Sequence, residues 1–286
     1  MRSGRSIPTK LAAIALAAGL SACGGGGGGL FSGSTRDVPL ETLAPDEIYQ
    51  KAEVELEQGD ADEAIRFFNE IERLYPYSEW AKRALIMSAF AYHADRDYEQ
   101  SRATAQRFLD FYPADEDAPY AQYLLAISYY DQIDQVGRDQ GLTFQALQSL
   151  RTVIERYPDS EYAKSSILKF DLAFDHLASK EMEIGRFYLK RGHYSAAINR
   201  FRVVVEEFQT TSHTAEALHR LVESYLALGL TDEAQTAGAI LGFNYQASAF
   251  YDDSYRLLTG QGLAPEAAGS GWLNDIYRQV VRGQWL

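Results

Sequence analysis

The chain has 286 residues, 46% of them hydrophobic and 23% charged, and its 27 Lys+Arg against 40 Asp+Glu give a net charge of −13. That composition is globular, neither disordered nor collagenous, and so acidic a balance speaks against nucleic acid as a partner, because phosphate neutralisation needs a basic surface. The single cysteine excludes an intramolecular disulfide, and no Cys/His cluster stands at zinc spacing.

Arg2, Arg5 and Lys10 form a short positive segment ahead of the apolar run Leu11 to Leu20. That run is too short to span a bilayer and fits the hydrophobic stretch of a secretory signal peptide. It ends in Leu20-Ser21-Ala22-Cys23, which resembles the bacterial lipobox, where the cysteine becomes the acylated first residue of the mature chain. An ordinary signal peptide with a chance cysteine is the alternative. Cleavage after Ala22 leaves 264 residues and takes the net charge to −16, since the leader carries three basic residues and no acidic one. By the same resemblance, Gly24 after the cysteine, in place of an inner-membrane-retaining Asp, directs the protein to the periplasmic face of the outer membrane. The run Gly24 to Gly29 has no Gly-Lys-Ser/Thr context, so it reads as a tether and not as a phosphate loop. Residues 1–22 are therefore a leader and 23–44 a lipidated tether.

Residues 45–258 repeat. From Ala64, steps of +4, +7, +11 and +12 meet Phe68, Ile71, Tyr75 and Pro76; from Ser101 they meet Ala105, Phe108, Tyr112 and Pro113; from Ala146, Leu150, Val153, Tyr157 and Pro158. Ala197 and Ala234 begin two further copies, in which Gln209 and Gln246 replace the proline. Steps of four, seven and eleven trace one helical face, and proline stops the helix; its absence predicts less sharp ends at Gln209 and Gln246. Five residues before each origin stand Gly59, Arg96, Gly141, Gly192 and Gly229, which suits a left-handed residue closing a preceding helix. The origins are 37, 45, 51 and 37 residues apart. The longer intervals predict a polar loop at 134–141 and a long helix from Glu161 to about Arg191. Five such helix–turn–helix units resemble tetratricopeptide repeats, so the expected fold is all-α: a right-handed solenoid with a concave groove.

The first helix of each unit lines that groove. Counting from its small crossing residue places Tyr49 in repeat one, Arg83, Ile86, Phe90 and His93 in repeat two, and Tyr120, Tyr123 and Tyr130 in repeat three on the concave face. Aromatics with polar tips on rigid helices suit an extended or partly folded peptide; packing between repeats is the other use for them. Asp171, Asp175 and His176 are close on the long helix, but no nucleophile or glycine-rich loop accompanies them. His213 and His219 are six apart and cannot face one metal from one helix. No catalytic residue, metal or cofactor is expected.

The lipobox, tether and five repeats, with Tyr75-Pro-Tyr-Ser-Glu-Trp-Ala-Lys82, Tyr157-Pro-Asp-Ser-Glu-Tyr-Ala-Lys164, Glu183-Ile-Gly-Arg-Phe-Tyr188, Lys190-Arg-Gly-His-Tyr194 and Ala196-Ala-Ile-Asn-Arg-Phe201, resemble the BamD/ComL family of β-barrel assembly lipoproteins. The resemblance implies a non-enzymatic scaffold anchored by acyl chains on Cys23. It implies docking on the POTRA domain of BamA through C-terminal repeats, contact with other assembly lipoproteins, and reception of unfolded outer membrane proteins near the N-terminal repeats. Asn199-Arg200 matches the position where arginine pairs with an acidic POTRA residue; a surface pair within its own helix is the alternative for Arg200. A periplasmic repeat protein coordinating cell-wall synthesis during division is the rival function, disfavoured because no heptads separate Cys23 from the repeats. Residues 259–286 read as a loop and then a helix with Leu273, Ile276, Tyr277 and Val280 on one face. Its Arg278 and Arg282 point either to a partner or to the acidic body of the same chain.

Overall fold

The computed structural model describes residues 39–136 and 139–280, the side chain of Val280 excepted. Cys23, the leader, most of the tether and Arg282 lie outside these residues. Within Leu40–Leu286 a short 3-10 turn, Leu40–Thr42, precedes five helix pairs. They are α1 (Pro45–Gln58) with α2 (Ala61–Leu74), α3 (Glu79–Ala94) with α4 (Tyr98–Phe111), α5 (Ala118–Tyr130) with α6 (Gly141–Arg156), α7 (Glu161–Lys190) with α8 (Tyr194–Glu207), and α9 (Thr214–Ala227) with α10 (Thr231–Asn244). A shorter helix, α11 (Ala249–Thr259), packs on α9 and α10, and α12 (Trp272–Val280) folds back onto α10. From α1 to α10 each helix packs chiefly on its sequence neighbours, and α1 also meets α3, α3 meets α5, and α5 meets α7. Pairs that stack only on adjacent pairs make an α-solenoid of tetratricopeptide-like repeats. No described helix is long and apolar enough to cross a membrane.

The stepped positions are the core. Ala64, Ser101, Ala146, Ala197 and Ala234 have no exposed surface, nor have Ile71, Phe108, Val153, Val204 and Leu241 seven residues on. A small residue at the origin lets the two helices of a pair approach closely, and the larger residue two turns later fills the core beside it. Ser101 is the polar exception. Its hydroxyl donates to the Ala89 carbonyl (2.9 Å) and accepts from Ser128 Oγ (3.0 Å), so a buried polar group is fully matched.

The aromatic at +11 ends each second helix as its C-cap: Tyr75, Tyr112, Tyr157, Phe208 and Tyr245 all take φ between −121° and −133°. The helices before Gln209 and Gln246 therefore stop as sharply as those before proline, contrary to expectation. The reason is a turn shared by all five: the N–H three residues on, of Ser78, Asp115, Ser160, Thr211 or Ser248, donates to the aromatic's carbonyl, and in three of them a hydroxyl adds to it. The Ser78 and Ser160 hydroxyls donate to the carbonyls of Tyr75 and Tyr157 at 2.8 Å, and that of Thr211 does the same for Phe208. A freed helix-end carbonyl needs a donor, and this one does not depend on the next residue. Ser78 and Ser160 also accept from the backbone of Ala81 and Ala163, capping α3 and α7 in turn.

Gly59, Gly192 and Gly229 adopt φ of +85°, +73° and +75° and close the turns inside repeats one, four and five. In each, the following N–H reaches back to the carbonyl of Glu55, Tyr188 or Tyr225. Gly141 does not belong to that set. It is the first residue of α6, its φ is not positive, and the eight-residue insertion replaces the tight turn by a longer path. Arg96 does belong, at φ +65°, with a Cβ that the left-handed region disfavours. Arg96→Gly is expected to raise stability by about 1 kcal/mol, read as a higher midpoint in urea unfolding followed by circular dichroism.

The insertion of about four turns appears as α7, a continuous 30-residue helix over Glu161–Lys190. Its first half packs on α5 and α6 and its second on α8.

Candidate peptide groove and partner surface

Tyr49 on α1 lies between Phe68 and Trp80, ring centroids 5.4 and 5.1 Å away, and the Arg83 guanidinium stands over Trp80 at 5.2 Å. On α3, His93 Nε2 meets Asp131 Oδ2 at 2.9 Å, just past the end of α5, and its ring abuts Tyr98. On α5, Tyr120 and Tyr123 both pack on Tyr162 of α7, at 5.2 and 5.4 Å, and the Tyr123 hydroxyl hydrogen-bonds Ser165 Oγ at 2.8 Å. Tyr130 carries the Lys169 ammonium over its ring at 5.0 Å. Phe90 is half-buried in the core that α3, α4 and α5 share.

Tyr49, His93, Tyr120, Tyr123 and Tyr130 thus do two jobs at once: each is half-buried, and each touches the first helix of the next repeat or its edge. Tyr120 and Tyr123 come together through Tyr162, whereas Phe90 joins neither group. Ile86 is not on the groove at all. It is 4% exposed and belongs to the core, because α3 turns that face toward α4 and α5. Counting along one helix missed Trp80 and Tyr162, which complete the aromatic clusters from the neighbouring repeat. Their signal was the shared Ser-Glu-aromatic-Ala segment that opens α3 and α7.

Burial raises the phenol pKa of Tyr120, and, less strongly, those of Tyr49 and Tyr162. Burial also raises Asp117, reinforced by the negative charges of Asp115 and Glu116. This surface therefore offers neutral hydroxyl donors beside acidic groups, with Arg83 exposed among them.

On α8, Asn199 is exposed, and Arg200 Nη1 bonds Glu181 Oε2 at 3.0 Å, with 42% of the arginine side chain still open. Its partner sits on α7, not on its own helix. One guanidinium N–H is used and the remaining donors stay available in a fixed plane.

The other singled-out residues are dispersed. Asp175 Oδ1 accepts from the Ser212 N–H (3.1 Å) and hydroxyl (2.8 Å), and its Oδ2 lies 3.3 Å from His213 Nε2. It fastens α7 to the turn before α9. His176 Nε2 is buried and has no hydrogen-bond partner. His219 is 5% exposed, with Nδ1 2.8 Å from Ser254 Oγ on α11 and Glu223 Oε1 3.6 Å from Nε2. Among the described residues no three His, Cys, Asp or Glu side chains converge as a metal site.

Burial pushes the His219 imidazole below its ordinary range, against the opposing pull of Glu223. With the folded pKa depressed, the unfolded chain takes the proton first. The contribution is complete above the unfolded value of about 6.5 and drains away as pH falls below it. Unfolding midpoints should therefore fall from pH 7.5 to pH 5, and His219→Gln should flatten that slope.

At the C-terminus, Leu273 is 3% exposed against α10, with Ile276 and Tyr277 packed beside it. Trp272 Nε1 donates to the Tyr225 hydroxyl (3.2 Å), and the Arg202 guanidinium covers its ring at 4.9 Å. The apolar face of α12 is therefore spent on the same molecule, while Arg278 stays exposed.

Helix pairs stacked in series, with paired aromatics along the first helices, define a tetratricopeptide-repeat protein. Residues 41–240 match the family described as YfiO, outer membrane lipoprotein. The chain is 44% identical over 255 residues to the outer membrane protein assembly factor BamD of Caulobacter vibrioides, covering 89% of this chain and 82% of that one. It is 42% identical over 220 residues to BamD of Rickettsia prowazekii, covering 77% and 86%. BamD of Neisseria meningitidis Z2491 matches at 27% over 232 residues, covering 78% and 85%. The chain belongs to the YfiO family of outer membrane lipoproteins, which its BamD relatives share.

Proposed function

We propose that this protein is an outer-membrane-anchored, non-enzymatic scaffold of the β-barrel assembly machinery. The observation that carries the reading is the 44% identity with an outer membrane protein assembly factor over 89% of the chain. Acyl chains on Cys23 hold it at the periplasmic face. Its C-terminal repeats dock on a POTRA domain of BamA beside the other assembly lipoproteins, and its N-terminal repeats receive unfolded outer membrane protein. Nothing observed favours the cell-wall coordinator over this.

The geometry supports a division of labour. Tyr49, Phe90, His93, Tyr120, Tyr123 and Tyr130 lie on the first three repeats as half-buried groups, so a client segment meets apolar ring surface with hydroxyls already oriented. Asn199 and Arg200 lie on the second helix of the fourth repeat. Glu181 holds the Arg200 guanidinium at 3.0 Å and positions the open donors for a partner carboxylate.

Purification from mild detergent tests this. Wild-type protein should recover BamA; Arg200→Ala should lower that recovery about tenfold or more, as loss of a central charged contact does, with the helical circular dichroism unchanged. Glu181→Gln should keep most of it, because the docking donors remain. Equal recovery with Arg200→Ala, or equal loss in both variants, would show that Arg200 serves only its own fold.

A further inference from the structure

The 14-residue insertion leaves the middle of α7 differently dressed from the other first helices. Residues 164, 168, 172 and 175 fall on one face at helical spacing. On that face Leu168 is 67% exposed and Leu172 62%, with Ile167 at 46% beside them. Leucine exposed to this degree on two successive turns has no role in the packing described above.

Leu172 is also the shared wall of two adjoining cavities. One, about 330 Å³, runs between α7 and the end of α5 and is lined by Tyr130, Asp131, Ile133, Asp134 and His176. The other, about 430 Å³, runs toward the turn before α9 and is lined by Asp171, Asp175 and Thr210 to Ser212. Four carboxylates thus rim an apolar floor. Asp131 is bound to His93 and Asp175 to Ser212, whereas Asp171 is exposed and has no ion-pair partner among the described residues. Nearby basic groups include Lys169, placed over the Tyr130 ring, Arg151 over Phe170, His213 against Asp175, and Lys164, one turn before Leu168. His176 Nε2 lies among the lining groups without a hydrogen-bond partner.

We propose that this stretch of α7 is a docking site for a cationic amphipathic segment of a partner protein. The apolar side of the segment covers Leu168 and Leu172, and its lysines or arginines meet the acidic rim at Asp171. Charge complementarity selects the occupant: an acidic rim repels anionic lipid headgroups and acidic peptides, while exposed leucines demand an apolar face.

The probe is a labelled 14-residue peptide with leucines on one helical face and lysines on the other, titrated by fluorescence anisotropy into the full chain. Controls are an anagram without a face and a version with glutamate for lysine. The amphipathic peptide should bind at least about tenfold tighter than either control. Leu168→Ser with Leu172→Ser leaves the charge unchanged and should weaken binding roughly tenfold or more. Asp171→Asn should reduce the salt dependence, and Phe111→Ser, at an exposed site on α4, should change nothing. Full binding by the leucine variant overturns the proposal. So does equal binding of the anagram, or leucine-dependent binding to vesicles of phosphatidylethanolamine and phosphatidylglycerol.

Discussion

Gly185→Ala should destabilise this protein by about 1–3 kcal/mol, although alanine is the better helix former. Gly185 sits inside α7 where it crosses α8, and a Cβ there would meet the Phe201 ring, with Cδ1 and Cζ at 2.8 Å from the added atom. Phe201 is fully buried, so its ring has nowhere to go. The gain from helix propensity, about 1 kcal/mol, does not cover that overlap. Phe201→Ala alone opens a cavity and should cost about 3–5 kcal/mol. The double variant Gly185→Ala/Phe201→Ala should be more stable than the sum of its single changes, because each relieves the other. Urea midpoints of the four proteins give the coupling directly. Additive effects would show that the ring moves freely and that the close approach at this crossing is not required.

Cys23→Ser should release the protein from membranes washed free of peripheral protein contacts. Each buried methylene contributes about 0.8 kcal/mol to membrane partition, and stable anchoring takes more than one acyl chain. The described helices supply no replacement, since none is long and apolar enough to cross a bilayer. Fractionation of cells carrying the variant should find the chain soluble after that wash, with the circular dichroism of the repeats unchanged in the purified protein. Persistence of the serine variant in washed outer membranes would assign the anchoring to protein contacts and refute acylation as its basis.

The helical faces were readable because burial repeats with the period of the helix. Steps from Ala64 or Ala197 need no knowledge of the partner helix, and every stepped position at +7 is fully buried. The length of α7 was readable for the same reason. What could not be read was anything depending on a second element. Gly141 shares its spacing with Gly59, but the inserted loop changes the path of the chain, and a spacing rule does not register that. Gln209 and Gln246 look like weakened stops because proline is conspicuous; the backbone turn that closes the carbonyls of Phe208 and Tyr245, from Thr211 and Ser248, is not. The groove shows the limit most clearly. Tyr120 and Tyr123 were placed from α5 alone, yet their character comes from Tyr162 on the next repeat, and Ile86 was misplaced because its neighbours on α4 and α5 were out of view. Arg200 was readable as a residue but not as a pair, since Glu181 lies 19 positions earlier on α7.

The continuity of α7 has a mechanical consequence. Thirty residues make a rod of about 45 Å, gripped by one set of repeats along its first half and by another along its second. Kinking it sharply would break backbone hydrogen bonds, so a push on one end is delivered to the other largely as rotation or translation of the whole rod. A client pressing on Tyr162 and a partner pulling on Glu181 would therefore be working on opposite arms of a single lever.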